Sequence, residues 1–93
     1  MKPKQYTQGW TEFYKLKFHL TPDVLIPRPE TELLVDESIK LKPKTVIDLG
    51  TGSGNITISI AKNLKDIKIF ATDISEKALK VAEKNAKYHK VLN

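Results

Sequence analysis

The apolar residues of this chain change period several times, and each change marks a new element. Leu16-Lys17-Phe18-His19-Leu20 alternates strictly, which predicts a strand with Leu16, Phe18 and Leu20 covered and Lys17 and His19 wet. Thr21-Pro22-Asp23 is turn chemistry and Val24-Leu25-Ile26 is a second short apolar run, so an antiparallel hairpin is expected within residues 1–27. Pro27 and Pro29 bracket Arg28 and push Ile26 and Arg28 towards extended geometry. Pro29 suits a first helical turn, Glu30 and Glu32 suit its positive end, and Leu33, Leu34, Val35 and Ile39 form a helical apolar face. A helix over residues 28–42 follows. Thr45-Val46-Ile47 then reads as a buried strand, and Ile56, Ile60 and Leu64 as a helix over Asn55–Leu64. Ile67–Thr72 reads as a second buried strand. Leu79, Ala82 and Ala86 mark one face of a helix over Glu76–Tyr88, capped by Ser75 and carrying Glu76/Lys80 and Glu83/Lys87 pairs. The order is α/β: a hairpin, a helix, then β-α-β-α over residues 45–93.

Size and charge narrow the picture only slightly. Ninety-three residues make one domain at most. Without cysteine there is no disulfide, thiolate metal site or thiol nucleophile. No apolar run is long enough for a membrane span, and the first residues lack a signal-peptide core, so a soluble cytoplasmic protein with no membrane partner is expected. The net charge is +5, and of 16 basic residues only Arg28 is an arginine. The lysines are scattered rather than clustered. An ordinary solvated surface accounts for them better than attraction to an acidic partner such as RNA, and direct nucleic-acid binding is not expected. Tyr6, Trp10, Phe13 and Tyr14 read as filling for a small core. His19, on the wet face of its strand, and His89, late in a lysine-rich helix, both read as solvated. Asn85 reads as a polar structural residue near the end of that helix.

The chemistry concentrates at Val46-Ile-Asp-Leu-Gly-Thr-Gly-Ser-Gly-Asn55. A strand, a glycine turn and a helix are the form of a nucleotide-type cofactor site. One glycine turns the chain, one lets a ligand approach the backbone, and one lets helix and strand pack closely. The amides of the new helix then face the ligand. The spacing is G-x-G-x-G, with Asn55 where the dinucleotide fingerprint has its last glycine. Asp73 stands 19 positions past Gly54, at the end of the second strand. There it can accept hydrogen bonds from both ribose hydroxyls of an adenosine. NAD enzymes share that device, and a glycine turn that binds nothing stays open on the glycines alone.

Opened by Asp48, the loop Gly50, Thr51, Gly52, Ser53, Gly54 looks like the first motif of the class I S-adenosylmethionine-dependent methyltransferases. The blocks Leu25-Ile-Pro-Arg-Pro-Glu-Thr-Glu-Leu33 and Gly9-Trp-Thr-Glu-Phe-Tyr-Lys-Leu-Lys-Phe18 resemble the protein-(glutamine-N5) methyltransferases that modify peptide chain release factors. The resemblance implies a partial Rossmann-like class I methyltransferase fold behind an antiparallel hairpin, with S-adenosyl-L-methionine as cofactor. It implies that the glycine loop and Asp73 hold the cofactor, that Thr31 lies near its methionine end, and that Pro29 and Arg28 pack over it. Arg28 could equally brace Glu30 or Glu32 as a surface ion pair. Asp48 would prop the loop and approach the cofactor through water or its amino group, or simply brace the loop. The implied protein substrate is the glutamine of a release factor's Gly-Gly-Gln motif.

The sequence departs from that family in having no Asn-Pro and no Pro-Pro dipeptide. The Asn-Pro-Pro-Tyr motif that grips the target amide is therefore missing, and no catalytic residue or metal ligand is assigned. These 93 residues are expected to be inactive alone and to self-associate through an unpaired sheet edge. A cofactor-binding half needing a separate C-terminal part, an inert remnant, an NAD enzyme and a nucleic-acid adenine methyltransferase are the alternatives.

Overall fold

Pro3 and Gly9 bracket the first element, a short helix α1 (Lys4–Gln8) that ends on Gly9 in the left-handed conformation, φ 81°. The computed structural model describes residues 3–91. Strands β1 (Trp10–Phe13) and β2 (Leu16–His19) follow and pair antiparallel, from Trp10↔His19 to Phe13↔Leu16. A 3₁₀ turn at Pro29–Thr31 leads into α2 (Glu32–Leu41). Then come β3 (Thr45–Leu49), α3 (Asn55–Asn63), β4 (Lys68–Thr72) and α4 (Glu76–Tyr88). Strands β3 and β4 run parallel, from Thr45↔Lys68 to Leu49↔Thr72.

The hairpin is real, but its partner strand is not the expected one. Val24–Ile26 forms no strand, and β2 pairs instead with Trp10–Phe13. The connecting residues Tyr14 and Lys15 both take positive φ, 52° and 60°, as a two-residue hairpin turn of the primed kind requires. Neither is a residue that favours this conformation, so the turn is held from outside. The Tyr14 N–H donates to Glu32 Oε2 at 2.8 Å and its hydroxyl donates to Asp36. Val24 is drawn the other way, into a cluster with Leu20, Ala78 and Val81.

A second cluster joins the hairpin to α2 and α3: Phe13, Phe18, Val35, Ile58 and Ile60 are all buried. The Phe13 and Phe18 rings meet edge-on at 6.1 Å between centroids. Three sequence expectations shift here. Strands β3 and β4 are covered on one face only, because α3 packs there, leaving Ile47 66% and Phe70 56% exposed. On α2 only Val35 is buried, while Leu33 and Leu34 face outward. On α4 the deepest stripe is Ala78, Val81 and Asn85, rotated from the expected face of Leu79, Ala82 and Ala86, which are half-buried. The helix bounds themselves depend on local signals, and Ser75 caps α4 by accepting from the Ala78 N–H at 3.2 Å.

Candidate functional site

Where β3 ends, its backbone bends onto the end of the neighbouring strand. The N–H groups of Gly50 and Thr51 both donate to the Thr72 carbonyl, each at 2.8 Å. The Gly52 N–H donates to Asp73 Oδ2 at 3.0 Å, and the Gly54 N–H to the Thr51 carbonyl at 2.9 Å. The loop is thus fixed to β4 at both of its first two glycines. Gly54 is the N-cap of α3 and offers no side-chain acceptor, so the first-turn amides of that helix stay free to meet a ligand.

The glycines divide by what surrounds them. A Cβ on Gly50 or Gly52 would have no atom within 4 Å, so these positions border open space. A Cβ on Gly54 would stand 2.9 Å from Ile58 Cδ1 and 3.4 Å from Ala82 Cβ. Gly54 therefore serves the close packing of α3 against α4.

Asp73 is shared between loop and helix. Its Oδ1 accepts from the Ser75 N–H and its Oδ2 from the Gly52 N–H, both at 3.0 Å. Those two amides, Ser75 foremost, hold its carboxyl below the usual aspartate range. A carboxylate offers about four lone-pair sites, so two accepted bonds leave room for further donors. Ser75, not Asp73, caps the following helix.

One cleft of about 860 Å³ collects most of the residues singled out in the sequence. Gly50, Thr51, Gly52, Ser53 and Asp73 line it together with Arg28, Pro29 and Thr31. Two singled-out residues lie outside it. Gly54 sits beneath the loop, against Ile58 and Ala82. Asp48 is half-buried behind the loop, and its Oδ2 is a buried oxygen without a hydrogen-bond partner, as is Thr51 Oγ1. Arg28 does not brace its neighbours: among the described residues the ion pair formed is Lys40–Glu37, and Glu32 is taken by Tyr14.

The cleft also has walls that sequence reasoning missed. Gln5 and Tyr6 of α1 line it, with Val24 to Pro27. The Tyr6 hydroxyl donates to the Val24 carbonyl at 2.8 Å and holds that segment in place. The available signal was Pro3 and Gly9, spaced to start and stop a short helix.

Both histidines differ from their expected settings. His89 is buried, not solvated: its Nε2 lies 2.6 Å from the Lys17 carbonyl and its ring meets Phe18 at a tilt of 47°, 5.3 Å between centroids. His19 is half-buried and meets the Tyr88 ring edge-on at 5.0 Å. Burial, then the charges of Lys84, Lys17 and His89, lower the His19 pKa. The unfolded chain therefore takes up a proton first as pH falls through about 6.5. Stability is full above that value and declines on acidification until the lower folded value is reached. Thermal melts between about pH 7 and about pH 5 are expected to show a falling Tm. His19→Gln should flatten that slope; an unchanged slope in the variant would contradict the assignment.

Among the described residues no three His, Asp or Glu side chains gather as a metal site, and no helix is long and apolar enough to cross a membrane.

Comparison with known proteins adds the following. A family model described as "Methyltransferase domain" matches residues 40–93. The chain is 50% identical to the release factor glutamine methyltransferase of Flavobacterium psychrophilum, over 97% of this chain and 34% of that protein. Among solved structures it is similar to the ribosomal protein L11 methylase of Lactobacillus delbrueckii subsp. bulgaricus: TM-score 0.59, 36% identity, 77% of this chain and 38% of the other. It also shares its fold with the O-methyltransferase TomG of Streptomyces achromogenes, solved in complex with SAM: TM-score 0.63, 19% identity, 76% of this chain and 32% of the other. The chain spans about a third of the length of the curated relatives it matches.

Proposed function

Because the chain belongs to the methyltransferase-domain family, we propose that its cleft holds S-adenosyl-L-methionine and serves methyl transfer to a release-factor glutamine. The observation that carries this reading is one cleft shared by the Gly50–Ser53 backbone, the Asp73 carboxylate and the Pro29–Thr31 turn. Its size suits a cofactor, since such sites run to roughly 300–1,000 Å³.

The residues present fit the group. Gly50 and Gly52 leave open space where any larger residue would project. The Asp73 carboxylate, already oriented by two amides, has lone pairs left for ribose hydroxyls. The unpartnered Thr51 Oγ1 and Asp48 Oδ2 supply a hydroxyl and a carboxylate at the loop. In a site that binds the donor, Thr51 would pair with it directly and Asp48 through water or its amino group. Thr31 and Pro29 would cover the methionine end, and Arg28 lines the same cleft, exposed and forming no ion pair among the described residues. When bound, the cofactor supplies an electrophilic methyl group. These residues would hold and orient it.

Release factor as substrate is supported by the 50% identity to a protein of that name and by the Pro27–Glu32 string that carries the likeness. Such a substrate would put the reaction in the cytoplasm. A neutral amide nitrogen is a poor nucleophile and needs positioning. The 93 residues contain no Asn-Pro or Pro-Pro pair to do this, so as a separate polypeptide they are expected to bind donor without transferring methyl.

Calorimetric titration tests the reading. S-adenosylhomocysteine should bind in the micromolar range or tighter while NADH does not. A folded sample indifferent to S-adenosylhomocysteine would refute it. Among the described residues each outer edge of the β3–β4 pair is free, beside exposed Ile47, Leu49 and Phe70. Self-association is therefore expected in sedimentation runs, and a sharp monomer boundary at all concentrations would contradict it.

A further inference from the structure

Asn85 is fully buried, at 0% exposure, in the last turn of α4. A buried amide must satisfy its polar atoms locally, and here three bonds do so. Its Oδ1 accepts from the His19 N–H at 2.6 Å. Its Nδ2 donates to the His19 carbonyl at 3.0 Å and to the Ser53 carbonyl at 2.8 Å. The first two bonds copy what a neighbouring strand would offer to the edge of β2. One turn on, His89 meets the Lys17 carbonyl of the same edge at 2.6 Å. The edge of β2 is thus covered by helix side chains rather than by a third strand.

The third bond reaches elsewhere. Ser53 lies inside the glycine loop, itself 1% exposed, between the glycine that borders the cleft and the glycine that packs on α4. One side chain therefore fastens two segments that share no other direct hydrogen bond among the described residues, the hairpin edge and the glycine loop. We infer that Asn85 is a positioning residue for cofactor binding: it sets the Ser53 carbonyl, and with it the amides of the loop, in register with the hairpin.

The consequence is a dependence that a merely structural asparagine would not have. Removing the amide should loosen the loop as well as lower stability, because its bond to the Ser53 carbonyl ties the loop directly to α4. The inference rests on the cleft being the donor site, and its test separates the two. Asn85→Leu fills the volume without hydrogen bonds, and Asn85→Ser leaves room for a bridging water to restore part of the link. Val35→Ala, on α2 and making no side-chain hydrogen bond to lose, supplies a variant destabilised by packing alone. Each is measured for amide exchange at Gly52 and Gly54, for S-adenosylhomocysteine affinity, and for urea midpoint. Asn85→Leu should speed loop exchange and weaken binding about tenfold, with partial recovery in Asn85→Ser. Val35→Ala should lower the midpoint while leaving exchange at the two glycines and the affinity unchanged. Should Asn85→Leu fail to fold, the comparison of Asn85→Ser with Val35→Ala decides alone. If the asparagine variants lose only stability, as Val35→Ala does, the inference is overturned. If the unsubstituted protein does not bind S-adenosylhomocysteine, the proposed function fails, and the exchange data decide whether Asn85 still governs the loop.

Discussion

Gly54→Ala is expected to be the most damaging single-methyl change in the chain. Two costs add at this position. The residue sits at φ +81°, where any residue with a Cβ loses about 1–2 kcal/mol. The new methyl would also stand 2.9 Å from Ile58 Cδ1 and 3.6 Å from the Ala82 backbone. The atom met is the far end of the buried Ile58 side chain, which must shift, so overpacking adds about 1–3 kcal/mol. A combined loss of about 2–5 kcal/mol is large beside the roughly 5–15 kcal/mol total of a typical domain. Gly52→Ala should behave differently. It carries the conformational cost at φ +56° but meets no atom within 4 Å, and its methyl would point into open space beside the cleft. Stability should fall by only about 1–2 kcal/mol, while affinity for S-adenosylhomocysteine should drop by at least about tenfold. Urea unfolding and calorimetry on the two variants read both effects. Equal stability losses at the two positions would show that packing under Gly54 is looser than its contacts imply.

Asp73→Asn is expected to abolish most cofactor affinity while sparing the fold. Both carboxylate oxygens receive a backbone N–H, from Ser75 and from Gly52. An amide has only one acceptor oxygen, so in either rotamer an NH₂ group would face an N–H, leaving one backbone donor unpaired. The negative charge and one of the two acceptor oxygens proposed to meet ribose hydroxyls are lost at the same time. Two weakened charge-assisted bonds correspond to about 100-fold in affinity. The pH dependence supplies a second check on the unsubstituted protein. The two amides depress the folded pKa of this carboxyl, so its contribution is complete above the ordinary value of about 3.9 and is lost only below it. Affinity should therefore stay level from about pH 8 to about pH 5. A decline setting in near neutrality would place another group in control of binding.

The residues of this site were unequally visible before folding. The glycine loop and Asp73 could be read because their chemistry is local: positive φ and a carboxylate at a strand end are demands on single residues. The α4 bounds Glu76–Tyr88 were legible for the same reason, with Ser75 supplying the cap. Tyr6 and Gln5 were not legible as cleft walls, since nothing within α1 says that it folds back over the loop. Nor were the burial of His89 and the bonding of Asn85. Their partners, Lys17, His19 and Ser53, stand 72, 66 and 32 positions away. A polar residue in a lysine-rich helix gives no local sign of such a partner.

The hairpin shows how a correct element can be assembled from the wrong halves. The alternation of β2 was strong enough to read, but Trp10–Phe13 has no comparable pattern, and Tyr14-Lys15 lacks the glycine or asparagine of a favoured tight turn. Glu32 and Asp36, on a helix still to be formed, fix that turn.

By itself the sequence determined the α/β order, the glycine loop, the acid that follows β4 and the Ser75 cap of α4, because each depends on torsions and neighbours within a few residues. Tertiary structure alone decided which strand completes the hairpin, which face of the parallel sheet is covered, and that α1 and Asn85 close around the loop. Those outcomes depend on buried polar atoms finding partners and apolar faces finding cover at distances along the chain that no local period records.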